Sequence, residues 1–159
     1  MASATQLVCL FYSLICLSIA LACSNDHLAN VPRTLLSDND KGAVCLDGSP
    51  PAYYLDKGEG KGSNNCWNRV YIHYCDESSF TGGVESVTNN VTYRGARIFN
   101  AIVDDLRQRG MNNAQNAILA GSSAGGLAAI LHCDRFRSFL PEAARVKSLA
   151  DSAIFIHDV

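Results

Sequence analysis

The chain has 159 residues, with 13 Lys or Arg against 15 Asp or Glu and a net charge of −2. It carries no basic cluster or stripe, so its charge pattern excludes the electrostatic footprint of a nucleic-acid binder. Past the N-terminal segment there is no long apolar run, and the remaining length suits one modest domain.

Residues 1–22 read as a secretory signal. An apolar run from Leu7 to Leu21 ends in Ala20-Leu21-Ala22, small residues in an A-x-A-like cleavage arrangement before Cys23. The residues before Leu7 include no Lys or Arg. As a membrane anchor, however, the run is short and lacks a basic flank. The mature product is therefore expected to be secreted, without membrane attachment. Residues 23–40 are polar and read as a loose N-terminal segment, followed by a folded region over residues 41–159.

Of the seven cysteines, Cys9 and Cys16 leave with the signal, while Cys23, Cys45, Cys66, Cys75 and Cys133 stay. Secretion favours disulfides. An odd number means that at least one thiol is unpaired or pairs outside the chain. No C-x-x-C pair and no His/Cys cluster of zinc-like spacing occurs, so no metal site is expected.

The run Asp47-Gly48-Ser49-Pro50-Pro51 is a turn signal between two apolar stretches. Residues 58–65, rich in Gly, Ser and Asn, read as a loop. Residues 70–74, β-branched and aromatic, read as a strand, and residues 76–92 as another loop. That loop ends in Asn90-Val91-Thr92, an N-glycosylation acceptor at Asn90, for which a bare polar turn is the plain alternative. Residues 93–109 read as a helix: Ile98, Ile102, Val103 and Leu106 make one apolar stripe, with Thr92 as a possible N-cap and Gly110 as the stop.

Next comes an apolar strand, Ala117-Ile118-Leu119-Ala120, then Gly121-Ser122-Ser123-Ala124-Gly125-Gly126, then a helical stretch from Leu127. Strand, Gly-x-Ser-x-Gly and helix together form the context of a nucleophile elbow. Gly121, Gly125, Gly126 and Ala124 keep the flanks of the turn nearly free of side chains. The turn would lift the Ser123 hydroxyl above the carboxyl end of a sheet, where the Ala124 N–H and the helix dipole meet an oxyanion. Residues 134–142 read as a polar connection and residues 146–156 as containing a further strand. Alternation of strand and helix predicts an α/β fold with a parallel sheet.

A nucleophilic serine needs a base and an orienting acid, in the chain order Ser, Asp or Glu, His. Asp151 followed by His157 satisfies that order. Six residues is a cramped spacing, because the two groups normally follow different strands. His132, on the helix after Ser123, is expected to point away from it into solvent, and His73, in mid-strand, is expected to pack, with a place facing a cleft as the alternative.

Taken together, these segments resemble the plant pectin acetylesterases, a family related to the animal carboxylesterase Notum. The resemblance covers about residues 41–158. It rests on the run from Lys41 to Tyr53, on Trp67-Asn68-Arg69-Val70 with Tyr74-Cys75-Asp76, and on Arg94-Gly95 with Ile98. It continues through the elbow into Leu127-Ala128, Ile130-Leu131 and Cys133-Asp134, and ends in Leu149-Ala150-Asp151-Ser152. It implies a partial α/β-hydrolase-like parallel sheet with flanking helices, no cofactor, and a place in the plant cell wall. It also implies serine-based removal of acetyl groups from pectin of the homogalacturonan type, with Ser123 as nucleophile.

Two departures qualify this. The family's Leu-Glu-Gly-Gly-Gly-Trp-Cys block, which supplies an oxyanion donor, is missing between Asn65 and Trp67. The family's catalytic Asp and His lie downstream of the segment matching Asp151. A second reading therefore stands beside the first: a catalytically inactive family member that binds pectin or is an unstable fragment. The resemblance also implies that Cys45 and Cys75 are structural, with a pairing that spacing leaves open. Cys66, at the junction, is the expected free thiol.

Overall fold

The computed structural model describes residues 31–36, 42–58, 67–87 and 89–154. The expected signal, Cys66 and His157 lie outside the described residues. The elements are β1 (Arg33–Leu35), β2 (Ala52–Asp56), β3 (Arg69–Ile72), α1 (Gly95–Gln108), a 3-10 turn (Met111–Asn113), β4 (Asn116–Ser122), α2 (Ala124–Ser138) and β5 (Arg145–Asp151). Strands β1, β2 and β3 form one sheet in that order, and β4 and β5 form a second, parallel pair.

The chain divides into two compact units, of which the larger comprises Arg33–Tyr53 and Tyr71–Val159. In the smaller, the Gly58 N–H donates to Asn68 Oδ1 at 3.3 Å, and Trp67 is exposed.

The turn after Cys45 is built by Asp47, whose Oδ1 accepts from the Ser49 N–H at 2.9 Å and the Ser49 hydroxyl at 2.6 Å. This is the side-chain mimicry of a backbone turn at which Asp excels. Cys45 and Cys75 are joined in a disulfide, which settles the pairing that spacing left open. Closing a loop of sequence separation 30 removes chain entropy from the unfolded state and contributes about 3.6 kcal/mol.

Helix α1 follows its predicted stripe. Ile98, Phe99, Ile102, Val103 and Leu106 are buried, and Ile98 and Ile102 have no exposed surface. Its start differs from expectation. The N-cap is Arg94, and the Thr92 hydroxyl instead donates to the Cys45 carbonyl at 2.6 Å. Gly110 ends the helix at φ 113, a conformation that favours glycine. Tyr53, fully buried, donates its hydroxyl to Asp105 on α1, and Arg109 Nε donates to the same carboxylate at 2.9 Å.

Asp76 is a second buried hub. It has no exposed surface, and its Oδ2 accepts from the Ser78 hydroxyl at 2.5 Å and the Phe80 N–H at 2.9 Å. Between these contacts Glu77, Ser79 and Phe80 all take positive φ, at 50, 51 and 57. Three non-glycine residues in that region carry strain, and the carboxylate holds them there.

Two expectations need correction here. The polar connection over residues 134–142 is shorter, because α2 continues to Ser138. Phe136, one turn beyond His132, is buried with it and extends the inner face of the helix. Arg137 then closes the end, donating to the carbonyls of Pro141 at 3.0 Å and Glu142 at 2.7 Å. The further strand expected within residues 146–156 is β5, which ends at Asp151, where Ser152 turns the backbone to φ 49. Among the described residues the expected run of parallel strands is reduced to the β4–β5 pair, since β3 belongs to the sheet of β1 and β2.

Candidate active site

The β4–α2–β5 unit carries the serine turn. Strand β4 alternates along its length, with Ala117, Leu119 and Gly121 more covered and Ile118, Ala120 and Ser122 exposed. Helix α2 covers one face of the pair. Small residues allow a close approach: Gly126, Ala128 and Ala129 are buried on its inner side, and the Ser148 hydroxyl on β5 donates to the Ala129 carbonyl at 2.9 Å. A Cβ at Gly126 would stand 2.5 Å from Ala153 Cβ and 3.0 Å from the Asp151 carbonyl oxygen. On the other face Ile118 and Leu149 are 54% and 60% exposed.

Ser123 lies between the last residue of β4 and the first of α2, at φ 54 and ψ −120. For a side-chain-bearing residue this is a sparsely populated conformation that surrounding structure must hold in place. Two features hold it. A Cβ at Gly121 would overlap the Gly125 carbonyl, so the turn closes only with glycine there. The Ser123 N–H donates to the Asp151 carbonyl at 3.0 Å, in line with the parallel register that pairs Ser122 with Asp151.

Ser123 is exposed. Its carbonyl accepts from the Leu127 N–H at 3.1 Å, so the helix begins directly behind it. The first N–H groups of a helix have no intrahelical partner and carry the positive end of its dipole. The Ala124 N–H is the first of these, and the first turn of α2 contains no acidic residue to neutralise that end.

The burial of the two described histidines is the reverse of what the sequence suggests. His132 is buried, not solvent-exposed. Its ring stacks on Phe99 with centroids 4.3 Å apart, and its Nε2 lies 2.7 Å from the Phe80 carbonyl oxygen. It joins α2 to α1 and to the strained turn after Asp76. His73 is exposed rather than packed, one residue past the end of β3, and it lines the open groove beside Cys45 and Cys75. Among the described residues, no histidine hydrogen-bonds the Ser123 hydroxyl. Asp151 ends β5 beside the elbow with its side chain exposed, and its backbone already anchors Ser123. That backbone role has no side-chain signature and was not visible in the sequence. Cys133 carries a free thiol. Among the described residues no group of three or more His, Cys, Asp or Glu gathers as a metal site would require.

The architecture of this unit is α/β: two parallel strands joined through one helix, with a strained serine at the strand-to-helix turn. A family model described as Pectinacetylesterase matches residues 24–66 and 65–159, and the chain belongs to that family. It is 43% identical over 182 residues to pectin acetylesterase 11 of Arabidopsis thaliana, covering 80% of this chain and 46% of that protein. Pectin acetylesterase 7 of the same plant is 44% identical over the same span. The palmitoleoyl-protein carboxylesterase NOTUM of Homo sapiens is 37% identical over 94 residues, or 56% of this chain and 19% of that protein. The chain spans about half the length of the plant relatives it matches. The family match breaks at residues 65–66. The alignment of 182 positions covers only 80% of 159 residues, so the relatives carry residues that this chain lacks.

Proposed function

We propose that this chain is a secreted carboxylic ester hydrolase of α/β-hydrolase-like fold that removes acetyl groups from cell-wall pectin, with Ser123 as nucleophile. The observation that carries this reading is the backbone of Ser123, held at φ 54 and ψ −120 between β4 and α2 with the side chain exposed. In the reaction, Ser123 Oγ attacks the acetyl carbonyl carbon and the Ala124 N–H receives the developing oxyanion. The sugar hydroxyl leaves with a proton, an acetyl-enzyme remains, and water releases acetate. Asp151 and His157 stand in the chain order required of acid and base. Family membership supports the ester-hydrolase class, and the names of the plant relatives support pectin as substrate.

A second reading has its own observation. Among the described residues His132 is buried against Phe99 and the Phe80 carbonyl, neither it nor His73 hydrogen-bonds the Ser123 hydroxyl, and a serine without its base is a weak nucleophile. On that reading the chain is a catalytically inactive member of the family. Acetate release from acetylated pectin, measured beside Ser123→Ala, separates the two. Release abolished by the substitution supports the esterase. Release no greater than that of the variant, together with no labelling of Ser123 by a fluorophosphonate probe, supports the inactive member.

A further inference from the structure

The acceptor Asn90-Val91-Thr92 is presented by its two ends in opposite ways. Asn89 and Asn90 form a left-handed turn at φ 52 and φ 61, a conformation that Asn tolerates better than most residues. Asn90 is exposed, and it lies on the rim of an open groove of about 360 Å³ that Cys45, Leu46, Cys75 and Val91 also line. Thr92 is only 7% exposed. Its hydroxyl donates to the Cys45 carbonyl at 2.6 Å, and its N–H donates to the Leu46 carbonyl at 2.9 Å. The Leu46 N–H donates in turn to the Cys75 carbonyl at 2.7 Å, and Cys45 is bonded to Cys75. The far end of the acceptor is therefore zipped onto the backbone of the disulfide.

An N-glycosylating transferase needs both ends, since the signal is Asn-x-Thr and not Asn alone. The folded chain offers the amide and withholds the hydroxyl. Freeing that hydroxyl would break its bond to the Cys45 carbonyl, which would keep the Gly48 N–H at 2.9 Å, and would part the Thr92 backbone from Leu46 if the segment lifted as a whole. Asn90 itself is exposed, so the amide end is open to the transferase.

We infer that Asn90 is an N-glycosylation site whose occupancy is set by a race with closure of the Cys45–Cys75 disulfide. The acceptor is a substrate only until Thr92 docks on Cys45. Both cysteines precede Asn90 in the chain, so during synthesis the bridge is free to close as the acceptor emerges. In the transfer, the anomeric carbon of a polyprenyl-diphosphate-linked oligosaccharide breaks its bond to phosphate oxygen and bonds to Asn90 Nδ2. The amide gives up one proton, the lipid diphosphate departs, and no electrons change hands. The inference rests on the secretory reading of residues 1–22.

The test is synthesis of the full chain in the presence of endoplasmic-reticulum microsomes, scored by a mobility shift that peptide N-glycosidase removes and that Asn90→Gln lacks. The expected result is a partial shift under oxidising conditions and a larger shifted fraction with reductant present during synthesis. The double variant Cys45→Ser, Cys75→Ser should show the same gain without reductant, while a purified, oxidised, folded chain should accept no glycan. A shifted fraction that is equal with and without the bridge overturns the inference. So does a folded chain glycosylated as readily as a nascent one. Protease added outside the vesicles distinguishes the failures. A chain that it destroys overturns the secretory reading and the inference together. A protected chain that stays unshifted in reductant overturns the inference alone.

Discussion

The Ser123 N–H and the Asp151 carbonyl are joined at 3.0 Å, which ties the strained turn after β4 to the last residue of β5. A serine at φ 54 and ψ −120 does not stay there on its own preference. Its neighbours over-determine it, and the stored strain is released by a residue without a Cβ. Ser123→Gly is expected to raise the unfolding free energy by about 1 kcal/mol relative to Ser123→Ala while leaving the chain equally without hydrolysis. Urea unfolding of the two variants checks this, and equal midpoints would mean that the turn stores no strain.

Gly121→Ala tests the closure of the same turn from its other side. The added methyl would run into the Gly125 carbonyl, which belongs to the backbone of α2 and has no side-chain freedom with which to yield. Forced overpacking against a backbone group is expected to cost about 3 kcal/mol or more. Gly125→Ala meets nothing within 4 Å. It should cost far less, so the contrast between the two, read by chemical denaturation, isolates the contact.

Asp76→Ala should be the most damaging single change outside the elbow. It removes the acceptor for the Ser78 hydroxyl and the Phe80 N–H, and with it the restraint on three left-handed residues. His132 leans on the Phe80 carbonyl, so the loss spreads to the α1–α2 contact. A cost of about 2–4 kcal/mol is expected from the stranded donors and released strain together. A variant within about 0.5 kcal/mol of the parent, the margin of ordinary surface changes, would mean that the turn holds itself.

The elbow and the α1 stripe were legible because each rests on local rules: glycine where backbones touch, and a 3.6-residue period where a helix meets a core. What stayed hidden was decided at long range. His132 was read as a surface residue because its own helix gave no sign that Phe99 and Phe80 would meet it. Thr92 had the chemistry of an N-cap, but the Cys45 carbonyl across the loop took its hydroxyl. The disulfide was beyond arithmetic, since cysteine counts do not fix connectivity. The sheet was read too wide because an alternation of strands and helices does not say which strands pair.

The uncovered face of the β4–β5 pair should govern solubility rather than stability. Ile118 and Leu149 are mostly exposed, and two short parallel strands with an apolar face invite association between chains. Ile118→Thr with Leu149→Thr is expected to leave the unfolding free energy within about 0.5 kcal/mol, as for surface changes generally. Light scattering at increasing protein concentration should show delayed aggregation. Aggregation that is unchanged in the double variant would place the associating surface elsewhere.

Tyr53 gives the fold a pH limit on the alkaline side. Its pKa is raised to about 12, first by burial and then by its hydrogen bond to Asp105, since a phenolate there would be both desolvated and set against a carboxylate. The unfolded chain releases this proton near pH 10, whereas the folded chain keeps it to about 12. Over that window the native state binds more protons, so stability is full below pH 10 and falls as the pH climbs towards 12. Tyr53→Phe removes the titration and also leaves Asp105 with one donor fewer, at a cost of about 1–2 kcal/mol at neutral pH. The variant should start lower than the parent and fall less steeply above pH 10. Parallel decline of the two in thermal or urea unfolding across that range would show that another group sets the alkaline limit.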